Sequence, residues 1–181
     1  LVQNYYHINT NMFIALLDDI RFLTAGVKFI RSMKEKGFAM CRPKIASMQE
    51  KRCELKHVYN PMLAVNSVEE TIVSNSFELD EKGRFYLITG PNHGGKSIFA
   101  YSIGMAQALF QLGLFVPAEE AVMSPVSGIF THFPSSDENN YGMGRLESEC
   151  ARLSEIMKLL SDTDMLLMDE SFSSTSGLEA G

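Results

Sequence analysis

The segment Gly90-Pro91-Asn92-His93-Gly94-Gly95-Lys96-Ser97 constrains the fold more than any other part of the chain. It fits G-x-x-x-x-G-K-[ST], a match that chance produces roughly once in tens of thousands of positions. The context agrees. Phe85-Tyr86-Leu87-Ile88 before it has the apolar, aromatic character of a buried strand, and the uncharged run Ser97–Ala118 after it has that of a buried helix. Glycines there let backbone N–H groups converge on phosphate oxygens with no side chain in the way. The helix that follows adds its unpaired N–H groups and the positive end of its dipole. Lys96 offers a point charge to β- and γ-phosphates, and the Ser97 hydroxyl is a hard oxygen ligand for Mg²⁺. The alternative is a structural glycine turn beside a surface lysine.

A second element lies downstream. Met165-Leu166-Leu167-Met168 is a four-residue apolar run that ends in Asp169-Glu170, which places the carboxylates at the C-terminal edge of a sheet strand. Ligands bind at that edge in open α/β sheets. Asp169 is expected to hold Mg²⁺ and Glu170 to activate the attacking water as general base, the alternative for Glu170 being a solvated loop carboxylate. Strand-like runs at Cys53–Val58, Ile72–Leu79 and Val126–Phe133 alternate with helical periodicity at Leu146–Leu160, which predicts an α/β fold with a mainly parallel sheet. Pro61 and the Val68–Glu70 region read as loops.

Phe13, Leu16, Ile20, Leu23, Val27 and Ile30 recur at spacings of three and four, one stripe of a long helix. Asn11 is placed to cap its start and Gly37 to end it. The stripe suits a helix packed on a core or the end of a long arm. Ser97–Ala118 is long enough to span a bilayer, but Ser102, Gly104, Gln107, Gln111 and Gly113 interrupt it, so a buried helix and no membrane contact are expected. With 16 basic and 22 acidic residues the net charge is −6, which argues against nucleic-acid binding by bulk charge. Cys41, Cys53 and Cys150 are too few and scattered for a disulfide framework, so reduced thiols and a cytoplasmic location are expected. His7 and His132 have no partners at zinc-ligand spacing. Both ends read as internal to a longer protein.

The run Ile88–Ser97 resembles the Walker A P-loop of the MutS family of DNA mismatch-repair ATPases. So do Gly113-Leu114-Phe115-Val116-Pro117-Ala118-Glu119, Ile129-Phe130-Thr131 and, as Walker B, Met168-Asp169-Glu170. Arg42-Pro43 and His57-Val58-Tyr59-Asn60-Pro61-Met62-Leu63 resemble the lead-in to that family's ATPase domain. The resemblance implies an ABC-like P-loop NTPase fold over 46–181, incomplete at its C-terminus, preceded at 1–45 by the end of a helical lever. It implies nucleotide contacts from Asn75 and from Gly90, Pro91, Asn92, His93, Gly94, Gly95, Lys96, Ser97 and Ile98. It also implies ATP and Mg²⁺ as cofactors, a homodimer through this domain, and DNA contact mostly through parts outside this chain.

The family completes each site with a signature loop from the other subunit, here Tyr141–Glu147, with Gly142, Gly144 and Arg145 facing the partner's nucleotide. Gly144-Arg145 stands where a serine and a threonine are typical; an arginine can serve a γ-phosphate by charge, the alternative being an exposed loop arginine. Ile98 replaces a frequent threonine, Ile72 stands where some relatives carry an adenine-stacking aromatic, and Ser171–Ser176 replaces a glycine- and arginine-bearing interface loop. His93 replaces an apolar residue and is expected to pack or hydrogen-bond locally, as is His57. The expected activity is Mg²⁺-dependent ATP hydrolysis that drives a dimer between open and closed forms on DNA. Two other readings are a nucleotide-gated dimerisation module with little hydrolysis and a P-loop phosphotransferase acting on a small molecule.

Overall fold

The computed structural model describes residues 10–66, 72–80, 84–133 and 145–169. They form a mixed α/β arrangement. Helix α1 runs Thr10–Glu35, followed by strands β1 (Lys44–Ile45) and β2 (Cys53–Val58), helix α2 (Pro61–Asn66), strand β3 (Asn75–Leu79), helix α3 (Lys96–Gln111), strands β4 (Glu120–Met123) and β5 (Ile129–His132), helix α4 (Arg145–Leu159) and strand β6 (Met165–Met168).

The sheet is not mainly parallel among the described residues. In the four-stranded sheet, order β1-β4-β2-β3, only β1 and β4 run parallel; β2 is antiparallel to both β3 and β4. A separate parallel pair, β5 with β6, registers Ile129 against Met165 and His132 against Met168. The reason is visible in the pattern: β2 and β3 alternate charged and apolar residues, as half-solvated antiparallel strands do. Cys53, Leu55 and Phe77 point inward, while Glu54 and Glu78 face each other on the outer side.

Phe85–Ile88, expected as a strand, has no strand pairing. Phe85 and Leu87 are 87% and 77% exposed. Composition suited the run to a buried strand, but a strand also needs a neighbouring edge, and no described strand supplies one. Pro61 opens a helix instead of a loop. Asn60 caps it, its Oδ1 accepting the N–H groups of Met62 (2.9 Å) and Leu63 (3.3 Å), and Pro61 takes the first helical position, where a missing N–H costs nothing.

Helix α1 begins at Thr10, so Asn11 lies inside it and does not cap it. Gly37 ends it as expected. With φ +84 it turns the chain left-handed, Gly37 N–H donates to Lys34 O and Phe38 N–H to Met33 O, and Phe38 and Met33 share one apolar cluster. The stripe is uncovered along the first part of the helix: Leu16, Ile20, Leu23 and Val27 are 46–58% exposed against the described residues. The foot is held. Met33 is buried with Met40, Tyr59 and Ala64, Lys34 lies over the Phe115 ring, and Lys36 Nζ donates to Ala64 O and Val65 O at the end of α2.

Helix α3 carries most of the uncharged run and packs Ile103 and Ala106 into the main core with Leu55, Val116 and Met123. The polar breaks in the run have partners. Gln107 is fully buried and donates to Ser124 O, and Gln111 exchanges two hydrogen bonds with Val126, 2.8 and 3.0 Å. Gly104 is the close-approach point: a Cβ there would run into Leu167 Cδ1. Gly104→Val in the full-length protein is expected to cost about 1–3 kcal/mol through overpacking, read as a lower denaturant midpoint. An unchanged midpoint would show that Leu167 swings aside freely. No helix of the described residues is long and apolar enough to cross a membrane.

Candidate functional site

The loop before α3 is a tight curl. Gly94 N–H donates to Pro91 O at 3.1 Å, and a Cβ at Gly94 would meet that same carbonyl at 2.9 Å, so only glycine fits without a shift. Gly95, at φ +82, stands at the N-cap, a left-handed conformation that L side chains rarely adopt. His93 is also left-handed at φ +64 and is exposed. The first amides of α3 have no intrahelical acceptor, so they present donors and the positive dipole end to this curl. A cavity of about 510 Å³ lies against Asn92, His93, Gly94, Gly95, Lys96, Ser97 and Ile98. Lys96 Nζ reaches back over the loop and donates to Gly90 O (3.1 Å) and Pro91 O (2.9 Å).

Asp169 follows β6 directly. Its N–H donates to His132 O at 3.1 Å, which continues the β5–β6 pairing by one step. Its Oδ2 accepts from the Tyr101 hydroxyl at 3.3 Å. Tyr101 stands four residues after Ser97 on α3, and residues four apart share a helix face. The structure thus ties Asp169 to Tyr101, one turn along α3 from Ser97. A hydroxyl and a carboxylate are the hard oxygen donors that Mg²⁺ prefers. Sequence reasoning missed Tyr101; its i+4 spacing from Ser97 was the available signal.

Around this point α4 docks on β5. Arg152 donates to Phe133 O (3.2 Å) and Thr131 O (3.4 Å). His132 is buried, and burial followed by the Arg152 charge holds its imidazole below the ordinary histidine range, with Glu149 opposing. Asn75 opens β3, exposed and opposite Val58, and Ile98 is 42% exposed on the first turn of α3. Ile72 packs against the cluster at the foot of α1. His57 hydrogen-bonds locally: its Nδ1 lies 3.5 Å from Ser74 Oγ and its N–H donates to Ser76 Oγ. Glu170, Gly142 and Gly144 lie outside the described residues, and so does the Arg145 side chain, although Arg145 opens α4.

Other chemistry is weak. A larger cleft, about 660 Å³, covers the outer face of the four-stranded sheet, but Arg42, Lys44 and Lys56 there face Glu54, Glu78, Glu119 and Glu120, with Lys56 paired to Glu120 at 3.1 Å. Burial pushes the Cys53 thiol up to about 12 and raises Cys41, so neither is a reactive thiolate. Among the described residues no group of three or more His, Cys, Asp or Glu is placed to hold a metal.

Comparison with known proteins bears on this loop and strand together. The family model described as MutS domain V matches residues 86–180. The chain is 34% identical over 131 residues to the DNA mismatch repair protein Msh3 of Mus musculus, covering 72% of this chain and 12% of that protein. It is 38% identical over 103 residues to the DNA mismatch repair protein MutS of Syntrophomonas wolfei, 56% of this chain and 12% of that one. With the DNA mismatch repair protein MSH2 of Saccharomyces cerevisiae it shares 33% identity over 131 residues, 71% of this chain and 14% of the relative. The chain therefore spans roughly an eighth of the length of these relatives.

Proposed function

The chain belongs to the MutS family, and on that footing we propose that it is the nucleotide-binding and hydrolysing part of a dimeric, DNA-acting repair ATPase. One observation supports the reading: the glycine curl opens α3, and Tyr101 on that same helix hydrogen-bonds the carboxylate that ends β6.

In this reading the amides of Gly94, Gly95 and Lys96 and the Lys96 ammonium bind the β- and γ-phosphates of ATP. Ser97 and Asp169 would hold Mg²⁺. Bound Mg²⁺ supplies Lewis-acid stabilisation of charge on the phosphate oxygens. Glu170 takes the proton of the attacking water. Asn75, Pro91, Asn92, His93 and Ile98 border the nucleotide, and Ile72 offers the base an apolar side chain in place of an aromatic one. Gly142, Gly144 and Arg145 act on the nucleotide of a second copy, so that ATP favours the closed homodimer and hydrolysis reopens it on DNA.

Asp169→Asn in the full-length protein tests the metal half of this scheme. Binding of a fluorescent ATP analogue in EDTA should be unchanged, while the Mg²⁺ concentration for half-maximal tightening rises about tenfold or more. An unaltered Mg²⁺ response removes Asp169 from the metal site.

A further inference from the structure

We propose that Tyr101 is a positioning residue for Asp169: its phenol pins one carboxylate oxygen and leaves the other available to a metal ion. The inference deepens the function proposed above and rests on Asp169 being a metal-holding group.

Three contacts support it. The Tyr101 hydroxyl donates to Asp169 Oδ2 at 3.3 Å. The Asp169 main chain is fixed separately by its N–H bond to His132 O, 3.1 Å, so the remaining freedom of the residue lies in its side chain. The phenol is itself placed: its ring lies 4.5 Å, centroid to centroid, from Phe133, which continues β5, and the Phe133 carbonyl accepts from Arg152 of α4. A carboxylate held at one oxygen is restricted in rotation about its last torsion, and its second oxygen is presented in one direction. Partners of this kind orient metal-holding carboxylates and raise metal affinity without touching the metal. The bond is long for O–H···O, which suits the lower end of such effects.

The packing and the hydrogen bond separate experimentally. Tyr101→Phe keeps the ring against Phe133 and removes the hydroxyl; Tyr101→Leu removes both. In the full-length protein, ATP-analogue binding is titrated with Mg²⁺ and, separately, measured in EDTA. Tyr101→Phe should raise the Mg²⁺ concentration for half-maximal tightening about tenfold, leave binding in EDTA unchanged, and regain wild-type turnover at saturating Mg²⁺. Asp169→Asn run in parallel separates the two ideas. If Asp169→Asn shifts the Mg²⁺ response and Tyr101→Phe does not, the positioning role is overturned and the metal role stands. If neither shifts it, both fall. If only Tyr101→Leu shifts it, the ring contact and not the hydroxyl acts, which also overturns the proposal.

Discussion

Glu170→Gln in the full-length protein lowers steady-state ATP hydrolysis by about 10²–10⁴-fold, the usual contribution of a positioned general base. Glutamine keeps the shape and hydrogen-bonding reach of glutamate but cannot accept a proton. In the proposed scheme the substitution leaves the phosphate-binding loop and Asp169 untouched, so ATP should bind and stay bound. Rapid-quench measurement of the first turnover, beside filter binding of labelled ATP, reads both consequences. Unchanged turnover removes Glu170 from the role. If the wild-type protein itself binds ATP, closes and hardly turns over, the gating-module reading replaces that of a hydrolase. Transfer of the γ-phosphate to a small acceptor in place of water would favour the phosphotransferase.

Lys96→Ala should lower ATP affinity about a hundredfold or more, as removal of one member of a close charge pair does. Lys96 stands at the first position of α3 with its ammonium folded over the loop onto Gly90 O and Pro91 O. The charge therefore already hangs over the curl where phosphates would lie. Isothermal titration with ATP and with adenosine gives the discriminating pair. Adenosine affinity should be unaffected, since Lys96 acts on phosphate; equal loss for both ligands points to a collapsed loop.

Legibility followed the range of the forces. Cys53–Val58 and Met165–Met168 were read from composition and period and stand as β2 and β6, and Gly37 was read as a stop from helix-end chemistry confined to the six residues Met33–Phe38. The strand at Phe85–Ile88 failed because pairing is not local: an apolar run does not carry the address of its partner. Pro61 reads as a loop only when its position is ignored, because proline weighs as a breaker inside a helix; directly after Asn60, a good cap, it opens one. At the site the curl and Asp169 were legible from motif chemistry. Tyr101 was not, since its partner lies 68 residues away and only the packing of α3 on β6 brings them together.

That packing limits how the site can open. With no side chain at Gly104, the tip of Leu167 lies close against the backbone of α3. Sliding helix past strand would strand a methyl group over empty space, and the interior has no fluid to fill it. The helix that opens with the curl and the strand that ends at Asp169 are thus keyed to each other at Gly104 and Leu167, and a shift of one along the other would unpack that contact.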